Sequence, residues 1–140
     1  MSLKFEKIIP NQNQINSLYE LLEGRDFNIS HKNMPTFKEH EHFVKNHPYI
    51  EWFIIKKKNS KIGTLYIQKD NSIGLNLYEK FVKQDLKNCI EFINNNFSPL
   101  NPIKSIRRDT FYVNVSSNNK KLIKAFNELG KNELQVSFLI

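Results

Sequence analysis

Glu51-Trp-Phe-Ile-Ile-Lys56, Lys61-Ile-Gly-Thr-Leu-Tyr-Ile-Gln68 and Ser72-Ile-Gly-Leu-Asn-Leu-Tyr78 are three short runs rich in β-branched and aromatic residues. The polar turns Lys57-Lys58-Asn59-Ser60 and Lys69-Asp70-Asn71 separate them. Strand-like runs joined by short polar turns predict an antiparallel meander. Downstream, Val82 to Asn95 returns to helical spacing through Leu86, Cys89, Ile90 and Ile93. Phe97 to Arg108 holds two prolines and reads as a long loop, and Thr110 to Val115 reads as a strand. Asn119 to Leu129 reads as a helix closed by Gly130, and Leu134 to Ile140 as a last strand. Upstream, Leu3 to Ile9 alternates up to Pro10, and Ile15 to Leu22 is helical with Gly24 as its stop. Thr36 and Glu39 form a capping-box pattern, so a helix is expected from Phe37 to Asn46, ended by Pro48.

The expected order is β-α-α-β-β-β-α-β-α-β. The closing β-α-β units need parallel crossovers while the middle is antiparallel, so the sheet is mixed. An α/β (α+β) fold with helices on both faces of one sheet follows. Residues 1–140 read as a single domain, with no repeat and no Gly/Ser linker.

Composition narrows the class. With 140 residues, 39% hydrophobic, eleven Phe and five Tyr, the chain is too apolar to stay disordered. No apolar run reaches the roughly 20 residues of a membrane span. The start, Met1-Ser2-Leu3-Lys4-Phe5-Glu6, lacks a signal-peptide core, so a cytoplasmic protein is expected. Cys89 alone allows neither an intrachain disulfide nor a Cys-based zinc site. The net charge is +7, yet only Arg25, Arg107 and Arg108 among the 21 basic residues are arginine. Arginine makes the bidentate contacts to phosphate and guanine, so its scarcity argues against base readout. A nucleic-acid module has net charge alone behind it.

Val115-Ser-Ser-Asn-Asn119-Lys-Lys-Leu-Ile-Lys-Ala-Phe126-Asn-Glu-Leu129-Gly130 resembles a segment of the GNAT superfamily of acyl-CoA-dependent N-acyltransferases. There a strand end and an Asn precede a helix that closes on an aromatic residue and Leu-Gly-Phe. Lys61-Ile-Gly63 through Ser72-Ile-Gly74-Leu-Asn-Leu resembles the family's central hairpin, and the likeness covers nearly the whole chain. Ile29-Ser-His31-Lys-Asn-Met34-Pro35 through His40 and Phe43-Val44 resembles bacterial members that acylate amino sugars and other small molecules.

The resemblance implies that acetyl-CoA lies between two splayed strands, against backbone groups of Leu75, Asn76 and Leu77. Its pyrophosphate would rest over Val82, Lys83, Gln84, Asp85, Leu86 and Lys87 at a helix N-terminus. Asn119 and Phe126 would border the cofactor. A small-molecule amine is the implied partner and acetyl-CoA the co-substrate, with no metal. Two departures stand out. Lys83, Asp85 and Lys87 occupy positions where small residues and glycines usually cradle phosphate, and Asp85 would set a carboxylate beside two phosphates. Phe126 replaces the tyrosine that often gives a proton to the leaving thiolate, and Phe cannot donate. Weak CoA binding and slow turnover are therefore expected. The alternative is a catalytically inactive domain of the same fold that binds a ligand or a protein partner.

Among individual residues, Tyr66 and Tyr78 on the central strands are the catalytic candidates. Arg25, His31 and Met34, between the two early helices, are the candidates for substrate contact. His40 and His42 lie two apart and point to different sides of a helix, so they do not share a metal ion. His40 is expected in the core through a hydrogen bond. Lys56-Lys57-Lys58 reads as a solvated turn, Arg107 and Arg108 as exposed, and Cys89 as a small buried hydrophobe. A last strand ending at Ile140 would leave a sheet edge that suits a homodimer.

Overall fold

Each element of the structure, a computed structural model that describes residues 2–25 and 33–140, has a local cause. The first strand, β1 (Leu3–Lys7), precedes α1 (Gln12–Glu23), whose start is capped by the Asn11 side chain accepting from the Gln14 N–H. α2 (Phe37–Lys45) opens on the reciprocal box expected: Glu39 N–H donates to Thr36 Oγ1 at 3.2 Å, and Thr36 N–H to Glu39 Oε1 at 3.0 Å. β2 (Glu51–Lys57), β3 (Ser60–Ile67) and β4 (Ser72–Leu77) follow as the meander. The turns between them use left-handed residues, Lys58 at φ 56° and Asn71 at φ 69°. Next come α3 (Lys83–Asn96), β5 (Tyr112–Val113) and α4 (Lys120–Glu128), the last capped by Asn119 accepting from the Leu122 N–H at 3.3 Å.

The sheet order is β1-β2-β3-β4-β5, antiparallel through β4 and parallel between β4 and β5. Alternation along β2 sends Phe53 and Ile55 to one face and Trp52 and Ile54 to the other. The first face packs Leu65, Ile73 and Leu75 against Leu86, Cys89 and Ile93 of α3 and Leu122 and Ala125 of α4. Phe5 stacks on Phe92 there at 3.8 Å. The second face packs Trp52 and Ile54 against Ile15 and Leu18 of α1 and Val44 of α2. Helices therefore cover both faces. No helix among the described residues is long and apolar enough to cross a membrane.

Two expectations change at the C-terminal end. β5 is two residues long rather than the six of Thr110 to Val115, and no strand forms over 134–140. Leu134, Val136, Phe138, Leu139 and Ile140 are all exposed, and Arg108 Nη2 donating to Gln135 Oε1 at 2.8 Å ties this stretch to the entrance of β5. Alternation makes a segment compatible with a strand. A ladder partner makes it one, and these residues have none among those described.

A third correction concerns Lys57. β2 alternation places it on the α3 face, where its Nζ lies 3.0 Å from Oδ1 of Asp85, a carboxylate only 1% exposed. It is a half-buried ion-pair partner rather than a solvated turn residue.

Candidate functional site

The site begins at a clip. Asn71 is fully buried in the β3–β4 turn. Its Nδ2 donates to the carbonyls of Leu100 at 2.9 Å and Arg108 at 2.8 Å, and its Oδ1 accepts from the Leu100 N–H at 2.8 Å. The Tyr112 N–H donates to the Asn71 carbonyl at 3.3 Å. These bonds pin the long loop before β5 to the start of β4. From that point β4 and β5 pair only at Ser72 with Tyr112 and Ile73 with Val113.

Beyond Ile73 the ladder stops, because β5 ends at Val113. Leu75, Asn76 and Leu77 pair with Leu65, Thr64 and Gly63 of β3, and no described residue pairs with their other edge. That edge carries backbone N–H and C=O groups without a ladder partner among the described residues. An extended amide-bearing chain can add there as a strand would. Leu75 is buried, whereas Asn76 and Leu77 are half-buried.

α3 starts after Val82, which is exposed together with Lys83, Gln84 and Lys87. Asp85 and Leu86 turn inward instead. Asp85 Oδ2 accepts from the Val82 N–H at 3.0 Å while the same carboxylate pairs with Lys57. The Asp85 carboxylate thus faces the core, with a cation of its own in Lys57. The N–H groups of Lys83 and Gln84 remain as first-turn donors of α3. Lys83 pairs with Glu128 at 3.2 Å, and Lys121 donates to the Glu79 carbonyl with its ammonium 4.2 Å from the Phe81 ring centre. Lysines from α3 and α4 thereby border the start of α3. Asn119 is spent on capping α4, and Phe126 is half-buried against the main core.

The α1–α2 face of the sheet is aromatic. Tyr66 stacks on Tyr49 with ring centres 3.9 Å apart. Its ring lies across Gly74, where an added Cβ would fall 1.9 Å from Tyr66 Cζ, so only glycine admits the ring there. Trp52 meets Tyr49 edge-on at 5.0 Å. Burial, reinforced by the Tyr66 phenol beside it, pushes the Tyr49 phenol up, so that it stays neutral. Arg25, half-buried just past α1, lies within electrostatic reach of both phenols, and burial pulls its own pKa down.

The candidates therefore separate. Tyr66 lies over Gly74, and Arg25 is half-buried just past α1. Tyr78 directly follows β4 and is exposed, as is Met34. His31 lies outside the described residues. His40 is buried with its Nε2 3.0 Å from the Ile15 carbonyl, and His42 is exposed. Cys89 is buried and its thiol is pushed up to about 12, chiefly by burial. Arg107 donates to the carbonyls of Asn101 and Lys69. Sequence reading missed Asn71, Tyr49 and Gly74. Asn in a tight turn was a signal for the first, whereas the other two act through partners distant in sequence.

No protein-family model and no curated protein matches the chain. Solved structures do. An acetyltransferase from Thermus thermophilus aligns over 93% of this chain and 86% of its own, with TM-score 0.63 and 15% identity. The Campylobacter jejuni N-acetyltransferase PseH in complex with acetyl coenzyme A aligns over 96% and 92%, with TM-score 0.60 and 18% identity. AAC(6')-Iy in complex with a bisubstrate analog, CoA-S-monomethyl-acetylneamine, aligns over 100% and 97%, with TM-score 0.59 and 13% identity. A mixed sheet with helices on both faces, together with these neighbours, gives the chain the fold of the GNAT superfamily of acetyltransferases.

Proposed function

We propose that the chain binds acetyl-CoA in the opening between β4 and β5 and transfers the acetyl group to a small-molecule amine. The observation that supports this reading is the edge of Leu75 to Leu77, left without a ladder partner among the described residues past the end of the β4–β5 pairing. The amide-rich arm of CoA would add to that edge by backbone hydrogen bonds. Its pyrophosphate would meet the N–H groups of Lys83 and Gln84 and the lysine rim, where the helix N-terminus favours an anion. The loop holds no glycine from Val82 to Lys87, so phosphate contacts fall to side chains more than to backbone.

The amine attacks the thioester carbonyl carbon, the C–N bond forms, the C–S bond breaks and the thiolate leaves. Backbone N–H groups of the β4 edge polarise the carbonyl, and positioning supplies most of the acceleration. The ammonium proton passes to water, and Tyr66 and Tyr78 are the candidates that give one to the thiolate. The absence of a hydroxyl at Phe126 supports a second reading, a domain that binds ligand without turnover.

Calorimetric titration with CoA and acetyl-CoA, at protein concentrations that resolve millimolar binding, tests the first point. Saturable binding is expected. Stabilisation of about 2.7 kcal/mol at 100 times Kd would show in a parallel melting scan. No heat and no shift in Tm would overturn the acetyl-CoA reading. Binding without release of free thiol across an amine panel would favour the second reading.

A further inference from the structure

The three most exposed large hydrophobic residues among those described are Phe138, Leu139 and Ile140, and Leu134 and Val136 just before them are exposed as well. Exposure climbs from 50% at Leu134 to 99% at Leu139. The Arg108–Gln135 hydrogen bond holds the start of this stretch against the entrance of β5, and beyond it the side chains stand clear. The N–H and C=O groups of 134–140 have no backbone partner among the described residues. Apolar side chains and unpaired backbone thus coincide over seven residues, and contiguous exposed apolar surface marks a contact surface in soluble proteins.

The sequence of the stretch says what fits it. Leu134-Gln-Val-Ser-Phe-Leu-Ile140 is complementary to itself run backwards. In an antiparallel pair centred on Ser137, Leu134 stands opposite Ile140, Val136 opposite Phe138 and Gln135 opposite Leu139 of the other copy. Alternation then gathers Leu134, Val136, Phe138 and Ile140 of both copies on one face. A shift of one residue would set Val136 against Ser137 and Phe138 against Gln135 and break that face. Charge favours the same pairing. The chain carries +7, and like charges directly opposite one another destabilise a ladder, yet none of these seven residues is charged.

We propose that two copies of the chain associate about a two-fold axis through residues 134–140, which become an antiparallel ladder on pairing, with Ser137 opposite its own counterpart. The contact is isologous: it occupies the same stretch in both copies and closes at two. It uses none of the β4 edge from Leu75 to Leu77 and does not depend on acetyl transfer. A two-stranded ladder is marginal by itself, so the apolar face sets the strength, and a dissociation constant of about 1–100 µM suits so small an interface.

Sedimentation velocity of the full chain across that concentration range tests the association. A reversible monomer–dimer equilibrium is expected, weakened at least tenfold in Phe138→Glu. The monomer's Tm should not change in that variant, because Phe138 is exposed. Register is read by cross-linking with oxidised glutathione. Ser137→Cys sets two thiols on directly opposed residues, about 5 Å apart between Cα atoms, within disulfide reach. Gln135→Cys sets them about 14 Å apart, out of reach. Ser137→Cys should therefore form a covalent dimer at least tenfold faster than Gln135→Cys, and wild type should form none because Cys89 is buried. A monomer at every concentration, an open-ended series of oligomers, a dimer that survives Phe138→Glu unweakened, or equal cross-linking of the two cysteine variants overturns the proposal.

Discussion

Asn71 is the residue whose loss should tell most about the candidate site. Its side chain makes three hydrogen bonds, to Leu100 O, Arg108 O and Leu100 N, all of them with the amide fully buried. Its backbone sits at φ 69°, which glycine adopts freely and alanine does not. Asn71→Gly removes the bonds and keeps the turn, so it isolates their worth. At about 1 kcal/mol each the loss is about 3 kcal/mol. For 140 residues the unfolding entropy is about 0.3 kcal/mol per kelvin, so Tm should fall by roughly 10 °C. Asn71→Ala should cost about 1 kcal/mol more for the left-handed backbone.

Urea unfolding followed by tryptophan fluorescence gives the free energies, and titration with acetyl-CoA gives the functional cost. Because the clip sets where β5 leaves β4, acetyl-CoA affinity in Asn71→Gly should fall while the fold persists. A loss of stability below about 1 kcal/mol in Asn71→Gly would refute the reasoning, as would equal stability of the Gly and Ala variants.

Four further outcomes follow from the packing. Lys57→Met leaves Asp85 buried without its cation and should cost about 2–3 kcal/mol, less than for a fully enclosed pair because Lys57 is 24% exposed. A double-mutant cycle with Asp85→Asn in urea unfolding should show a coupling above about 1 kcal/mol. Burial lowers the pKa of both His40 and His47, so the unfolded chain takes up these protons first as pH falls. Stability should therefore hold above about pH 6.5 and decline below it, by at most about 1.4 kcal/mol per pH unit for each histidine, and His40→Gln should flatten the slope between pH 5 and 7 in urea unfolding at stepped pH. Cys89 should resist a thiol reagent in the native protein and react with one equivalent after denaturation, as absorbance would show. Gly74→Ala should drive the Tyr66 ring off Tyr49, which near-ultraviolet circular dichroism would register as a lost aromatic signal.

The elements that local chemistry dictates were legible in the sequence. The Thr36–Glu39 box, the Asn119 cap and the meander of β2 to β4 each arise from neighbours a few residues apart. Elements that depend on a distant partner were not. Leu134 to Ile140 has the alternation of a strand and lacks the edge to join. Lys57 lies in a run of three lysines that reads as solvated, yet its partner is Asp85, brought over it by α3. The same holds for the site. The β4 strand itself could be named in advance, whereas the stack of Tyr49, Tyr66 and Gly74 depends on strand register, which turn residues alone do not reveal.

The apolar interior is divided unequally by the sheet. The α3–α4 face holds most of the buried aliphatic residues and the Phe5, Phe53, Phe92 and Phe97 rings, while the α1–α2 face rests on Ile8, Ile15, Leu18, Val44, Trp52 and Ile54. Regions with fewer buried contacts open at lower free energy than the whole molecule. Amide protons of α1 and α2 should exchange with solvent before those of α3 and the central strands, in openings that leave the larger core intact. The layer that carries α1 and α2 is then the first to loosen, while β4 and α3 hold their shape beneath it.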